Sequence, residues 1–164
     1  MIVNILHGRP LPVYGDGRNI RDWLYVTDHC RGIDLILGKG RVGEVYNIGG
    51  SSECENIALV RLLCSIADEA FATDESLATT YPECPAARGV SAATLITYVT
   101  DRAGHDRRYA IDATKIEQEL GYGAAVTLDA GIRDTFAWYL ANPGWWRAVM
   151  DGSYRGWLAT NYQQ

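Results

Sequence analysis

Apolar residues at positions 2, 3, 5 and 6 of "MIVNILHG" predict a short helix closed by Gly8. The following "RPLPVYGDG" is turn-rich. Pro10 and Pro12 force extended backbone there, while Gly15 and Gly17 permit a tight loop. "IRDWLYV" alternates in hydrophobicity and is rich in β-formers, which predicts a strand over 20–26. Thr27 or Asp28 can then cap a helix carrying Ile33, Ile36 and Leu37 that ends near Gly38. "EVYNIGG" predicts a second strand running into a glycine turn. Asn56 opens a helix in which Ile57, Val60, Leu63, Ile66 and Ala67 recur with a 3.6-residue period. Residues 71–92 have weak periodicity and two prolines, the pattern of a long loop. "TLITYVT" predicts a strand, "TKIEQELG" a short helix stopped by Gly121, and "LDAGIRDTFAWYLAN" a longer helix capped by Thr127 and ended by Pro143. The tail carries Trp145, Trp146, Tyr154, Trp157 and Tyr162, an aromatic content that predicts packing against the body.

These elements predict an α/β fold with few strands and four or five helices. At 164 residues the chain fits one domain that buries roughly two thirds of its unfolded surface. A content of 48% hydrophobic and 21% charged residues is that of a globular protein. Lysine is represented by Lys39 and Lys115 alone, so arginine supplies nearly all the cations, and arginine is a planar, bidentate donor suited to phosphate. The net charge of -5 argues against nucleic-acid or membrane binding. No apolar run approaches the ~20 residues of a membrane span, and no secretory pattern follows Met1. Cys30, Cys54, Cys64 and Cys84 contain no C-x-x-C pair, which disfavours zinc and suits reduced thiols in the cytoplasm.

"GKGRVG", residues 38–43, matches G-x-G-x-x-G literally, but the pattern predicts a helix before it and a strand after it. Dinucleotide binding needs the reverse order, so that a pyrophosphate meets a helix N-terminus. No tyrosine has a lysine four residues later, no serine sits in a G-x-S-x-G elbow, and no histidine pair has metal spacing. The chain shows no self-sufficient catalytic set. Its most concentrated chemistry is "DRAGHDRRYAID", residues 101–112, with three arginines, one histidine and three aspartates.

Taken in order, "PLPVYGDGRNIRDWLYVTDHCRGI", "GEVYNIGG", "DRAGHDRRYAIDATKIEQELGY" and "GIRDTFAWYLANPGWW" resemble the C-terminal half of the dTDP-glucose 4,6-dehydratases. These form a branch of the extended short-chain dehydrogenase/reductase family. The resemblance weakens only over about 71–92. It implies the substrate-binding portion of a Rossmann-type fold that lacks most of the parallel sheet, with 1–164 forming a nucleotide-sugar-binding domain. It further implies that an N-terminal half carrying NAD and a Tyr/Lys pair is not in this chain. The family reaction oxidises the sugar at C4, eliminates water across C5 and C6, and returns the hydride to C6. By itself the chain is expected to be inactive. The other readings are another NAD-dependent nucleotide-sugar dehydratase, epimerase or decarboxylase of the same superfamily, and a non-catalytic remnant that binds nucleotide weakly or serves in assembly. Self-association is expected, as a homodimer in the complete enzyme.

The resemblance also assigns the substrate contacts. Tyr14 would stack near thymine, with Leu11, Pro12 and Val13 forming the loop wall and backbone contacts; by itself Tyr14 reads as a turn aromatic. Arg21 would clamp the diphosphate, though on residue type alone it could sit on a solvated strand face or pair with Asp22. Asn56 would face the ligand and is also an ordinary helix cap. Arg102 and His105 would contact the diphosphate side, one as a forked donor and one as a single donor. Arg107, Arg108 and Asp106 would brace the loop through internal ion pairs. Tyr162 would reach the nucleotide or simply anchor the tail. Where the family usually reads Arg-Pro-Gly-His, this chain has Ala103, which removes a fixed φ but no contacting group. His7 and His29 have no partner pattern and are read as surface or capping residues.

Overall fold

The computed structural model describes residues 1–152, so Tyr154, Trp157 and Tyr162 lie outside the described residues. Helix α1 (Ile2–Leu6) buries Ile2, Ile5 and Leu6. Strand β1 (Leu11–Tyr14) turns Leu11 and Val13 inward and leaves Pro12 and Tyr14 outward. It pairs in parallel with β4 (Ile96–Val99), Leu11 opposite Ile96 and Tyr14 opposite Val99. Proline is tolerated in β1 because a two-stranded sheet leaves one edge of each strand free. β2 (Ile20–Asp22) pairs antiparallel with β3 (Glu53–Glu55), Arg21 opposite Cys54.

The centre of the fold is α3 (Asn56–Thr73), whose Ile57, Val60, Leu63, Cys64, Ile66, Ala67 and Phe71 are buried. Around it pack α1, β1, α6 (Leu128–Ala141) and two short 3-10 turns, Pro85–Arg88 and Ala92–Leu95. Phe136 of α6 and Trp146 of α7 (Pro143–Met150) complete this core. A smaller cluster joins Ile116 of α5 (Thr114–Leu120), Ala113 and Tyr122 to Leu35 and Ile36 of α2 (Val26–Lys39) and to Tyr46 and Ile48.

The α/β class stands, with one small parallel pair as its only parallel sheet among the described residues. The elements depart from the sequence pattern in four places. The strand expected over 20–26 stops at Asp22, because the Asp22 carboxylate accepts hydrogen bonds from Gly50 N at 2.9 Å and Ser52 N at 2.7 Å. The strand expected over 44–50 is extended, with Tyr46 and Ile48 packed on α2 and α5, but no described strand lies beside it to form a ladder. The expected long loop over 71–92 is structured: α3 runs on to Thr73, α4 (Ser76–Thr80) follows, and the 3-10 turns bury Pro85 and Ala92. Pro143 ends α6 as expected but also begins α7, where a missing N–H costs nothing.

Three caps were open to test. Thr127 does cap α6, accepting from Ala130 N at 3.3 Å. Neither Thr27 nor Asp28 caps α2, which begins at Val26. The Asp28 carboxylate is buried and instead accepts from Ala125 N and Val126 N, each at 2.9 Å, with Arg31 3.0 Å away. Asn56 is the first residue of α3 rather than its cap, because loop carbonyls receive the opening N–H groups: Asn56 N bonds Asn19 O and Ile57 N bonds Gly17 O, both at 2.9 Å.

Candidate functional site

Backbone hydrogen bonds fold the 101–112 segment onto β2. Ile20 N donates to Arg107 O at 2.8 Å and Tyr109 N donates to Ile20 O at 3.0 Å, so residues around 108 lie parallel beside β2. That places the arginine-rich loop against the turn between β1 and β2 and against the start of α3. Gly15, at φ +57°, makes the turn possible, and its lack of a Cβ leaves room for Asp101, whose carboxylate would stand 2.9 Å from one.

Arg21, His105, Tyr14 and Arg102 converge in this corner. The Arg21 guanidinium donates to Ile20 O at 2.6 Å and to Asp106 O at 3.1 Å, lies 3.1 Å from His105 Nε2, and sits 4.2 Å from the Tyr109 ring centre. His105 in turn holds Asp101 Oδ1 at 2.6 Å through Nδ1 and meets the Tyr14 ring edge-on at 6.2 Å. Arg102 covers the Tyr14 ring, its guanidinium carbon 5.1 Å from the centroid. Such stacking leaves a guanidinium's in-plane N–H donors free for oxygen acceptors. The corner offers cations and amides with an exposed aromatic ring at its edge, chemistry suited to an anion joined to a flat base.

The remaining expected residues fall into place unequally. Asn56 reaches the corner through its backbone bond to Asn19. Pro12 is exposed on the same strand face as Tyr14. The Leu11 side chain is fully buried in the core, so it supports the loop from beneath and leaves its backbone as the part that can face a ligand. Val13 is buried with it. Arg21 does not pair with Asp22, which is engaged by the Gly50–Ser52 backbone.

The ion pairs expected inside the 101–112 loop form outward instead, because the loop lies against the β1–β2 turn and β3, which supply the carboxylates. Arg107 binds Asp16 at 2.8 and 3.1 Å, and Arg108 binds both oxygens of Glu53 at 2.8 and 2.5 Å. Each guanidinium holds its partner carboxyl below the usual carboxylate range. Asp106 accepts from the Tyr109 hydroxyl, which raises that phenol's pKa. The hydrogen bond from His105 likewise depresses Asp101. His7, read from sequence as a surface or capping residue, is the C-cap of α1: its Nδ1 lies 2.9 Å from Val3 O, and its ring is half-buried edge-on against Trp146.

Sequence reasoning missed Asn19, Tyr109 and Asp101. Asn19 is almost fully buried, and its amide donates to Asp106 O at 3.3 Å, tying the two loops together. A polar residue two positions before Arg21 carries no signal of burial. The "GKGRVG" match is not a nucleotide site: Gly38 and Gly40 lie at the C-terminal end of α2, Gly43 lies in the turn after it, and no helix begins there. Among the described residues, no His, Cys, Asp and Glu cluster could hold a metal ion, and no helix is long and apolar enough to cross a membrane.

The family model described as GDP-mannose 4,6 dehydratase matches residues 1–135. A dTDP-glucose 4,6-dehydratase of Xanthomonas campestris pv. campestris is 49% identical over 155 residues, which are 94% of this chain and 40% of that protein. Its namesake from Salmonella typhimurium is 47% identical over 163 residues, 99% of this chain and 41% of the relative. Among solved structures, a dTDP-glucose 4,6-dehydratase from Bacillus anthracis in complex with NAD superposes with a TM-score of 0.69 at 42% identity. It covers 89% of this chain and 39% of the other. The chain therefore spans about 40% of the length of these relatives.

Proposed function

The chain belongs to the GDP-mannose 4,6 dehydratase family, and from that premise we propose that it forms the nucleotide-sugar-binding part of a dTDP-glucose 4,6-dehydratase. The observation that carries this reading is the convergence of Tyr14, Arg21, Arg102 and His105 in one corner, although up to 91 residues of chain separate them, since 105 − 14 = 91. In this reading the diphosphate sits against Arg21, Arg102 and the start of α3 at Asn56. The base then lies near Tyr14 and Pro12. A helix N-terminus adds a favourable dipole for the anion.

We assign NAD to the part of the complete enzyme outside these residues, since the one glycine-rich match ends a helix rather than opening one. The contribution of this chain is to bind and orient: it holds the nucleotide end so that the sugar is presented elsewhere. A cytoplasmic location and a homodimeric complete enzyme belong to the same reading.

Calorimetric titration of dTDP into this chain and into its variants tests it. Arg21→Ala and Arg102→Ala each weaken dTDP binding by about 1.5–3 kcal/mol, the worth of a charge-assisted hydrogen bond. Arg107→Ala, whose guanidinium faces Asp16, leaves affinity nearly unchanged. Equal losses at Arg102 and Arg107 would overturn this division of roles.

A further inference from the structure

The Asp101 carboxylate stands against the His105 Nδ1 edge and, among the described residues, is the partner there that must accept a proton. A depressed carboxyl only accepts, so Nδ1, 2.6 Å from Asp101 Oδ1, carries the hydrogen. On the opposite edge, Nε2 stands 3.1 Å from Arg21 Nη2, and a guanidinium only donates. Nε2 must therefore present its lone pair. Only the Nδ1–H tautomer satisfies both contacts. The Asn19 amide N–H would need the Nδ1 lone pair, but it stands 3.4 Å away and also donates to Asp106 O, whereas the charged Asp101 oxygen is 2.6 Å from Nδ1 and dominates. The His105 side chain is only 11% exposed, which shields the arrangement from exchange with water.

We propose that Asp101 is a positioning residue of the anion site: it fixes His105 in the tautomer that accepts from Arg21, and so holds the Arg21 guanidinium in place before a ligand arrives. Arg21 then has three of its five N–H donors committed, to Ile20 O, Asp106 O and His105 Nε2, and two left for an incoming anion. Preorganisation of this kind removes the ordering cost from the binding step. A carboxylate that sets a histidine tautomer is a known device for orienting a reactive imidazole; here the oriented group is one residue further on. The proposal rests on the anion-site reading above for its ligand, but not for the tautomer.

Electrostatics and positioning predict opposite signs. Removing the Asp101 charge lowers repulsion toward an anion and by itself would tighten binding. Loss of the tautomer lock weakens it. The test uses the 164-residue chain as wild type, Asp101→Asn and Asp101→Ala, with 15N NMR of the His105 ring and titration with inorganic pyrophosphate and with dTDP. The wild type is expected to show the Nδ1-protonated pattern. Both variants should shift toward Nε2 protonation and bind pyrophosphate about 10-fold more weakly, the usual scale for an outer orienting partner. A wild-type ring protonated on Nε2, or variants that bind pyrophosphate as tightly as wild type or tighter, would overturn the proposal. Wild-type binding of pyrophosphate with no gain for dTDP would instead refute the nucleotide reading and leave the role of Asp101 supported. Binding of neither ligand would refute both.

Discussion

The carboxylates of Asp16, Glu53 and Asp101 each owe a depressed pKa first to a hydrogen bond from a basic side chain: Arg107, Arg108 and His105. A group whose folded pKa lies below its unfolded one contributes stability above the unfolded value, near 4, and loses that contribution as pH falls through the folded value. The melting temperature should therefore hold near neutrality and drop below about pH 4. The Asp16→Asn and Glu53→Gln variants should show a shallower fall. All three groups face solvent, so each contribution is small. The thiols divide by burial in the same way. Burial pushes Cys64 up to about 11 and also raises Cys84 and Cys54, whereas Cys30 is exposed. Thiolate is the reactive species. A neutral-pH thiol reagent should label Cys30 first and reach Cys64 and Cys84 only on unfolding. Rapid labelling of Cys64 in the folded chain would contradict the buried core around α3.

Among the elements, Asp28 ties α2 to the segment that leads into α6. Asp28 is buried, yet its oxygens receive Ala125 N and Val126 N and stand 3.0 Å from Arg31. Asp28→Ala leaves two backbone donors unpaired beside α6. The expected loss is about 2–4 kcal/mol. Thr127→Ala removes only the α6 cap and should cost about 1 kcal/mol. Urea denaturation of the two variants ranks them; a Thr127 loss equal to or greater than the Asp28 loss would contradict this account. At the other end of the fold, Gly121 in the left-handed conformation closes α5, as the sequence predicted.

At the scale of the whole molecule, large apolar side chains stay exposed along α2 and the segment that follows it. Leu37 is 82% exposed, Val45 77%, and Val42 and Val26 are also open to solvent. A cleft of about 310 Å³ between Trp23–Val26 and α6 exposes further apolar surface. Surfaces of this kind bind hydrophobic dyes and promote association. The chain should bind such a dye and associate at high concentration, and Leu37→Lys with Val45→Lys should reduce both without lowering the melting temperature. A strictly monomeric particle with no dye binding would contradict this. The chain supplied with NAD and dTDP-glucose should give no 4-keto-6-deoxy sugar. Hydride transfer needs a nicotinamide beside C4 and a base for its hydroxyl proton, and the proposed reading gives both to the part of the complete enzyme outside these residues. Turnover above a blank, abolished by a substitution in this chain, would overturn that expectation.

The sequence by itself determined the long helices α3 and α6, because a 3.6-residue apolar period over many turns has one folded solution, and it marked Thr127 as the cap of α6 and Gly121 as the stop of α5. It also supplied the chemical identity of the corner, since arginines, a histidine and an aromatic in motif order need no coordinates to be noticed. Only the tertiary structure decided what those groups touch. Residues 44–50 read as a strand from side-chain pattern, but pairing depends on a neighbour that local sequence does not specify. The 71–92 region read as a loop because its helices are too short to show a period; their stability comes from packing on α3. Asp28 read as a cap, and only the approach of residues 125 and 126, nearly a hundred positions away, made it a buried tie. The His105 tautomer is the sharpest case. Its proton is placed by Asp101 on one side and Arg21 on the other, and a contact spanning 84 residues exists only once the chain has folded.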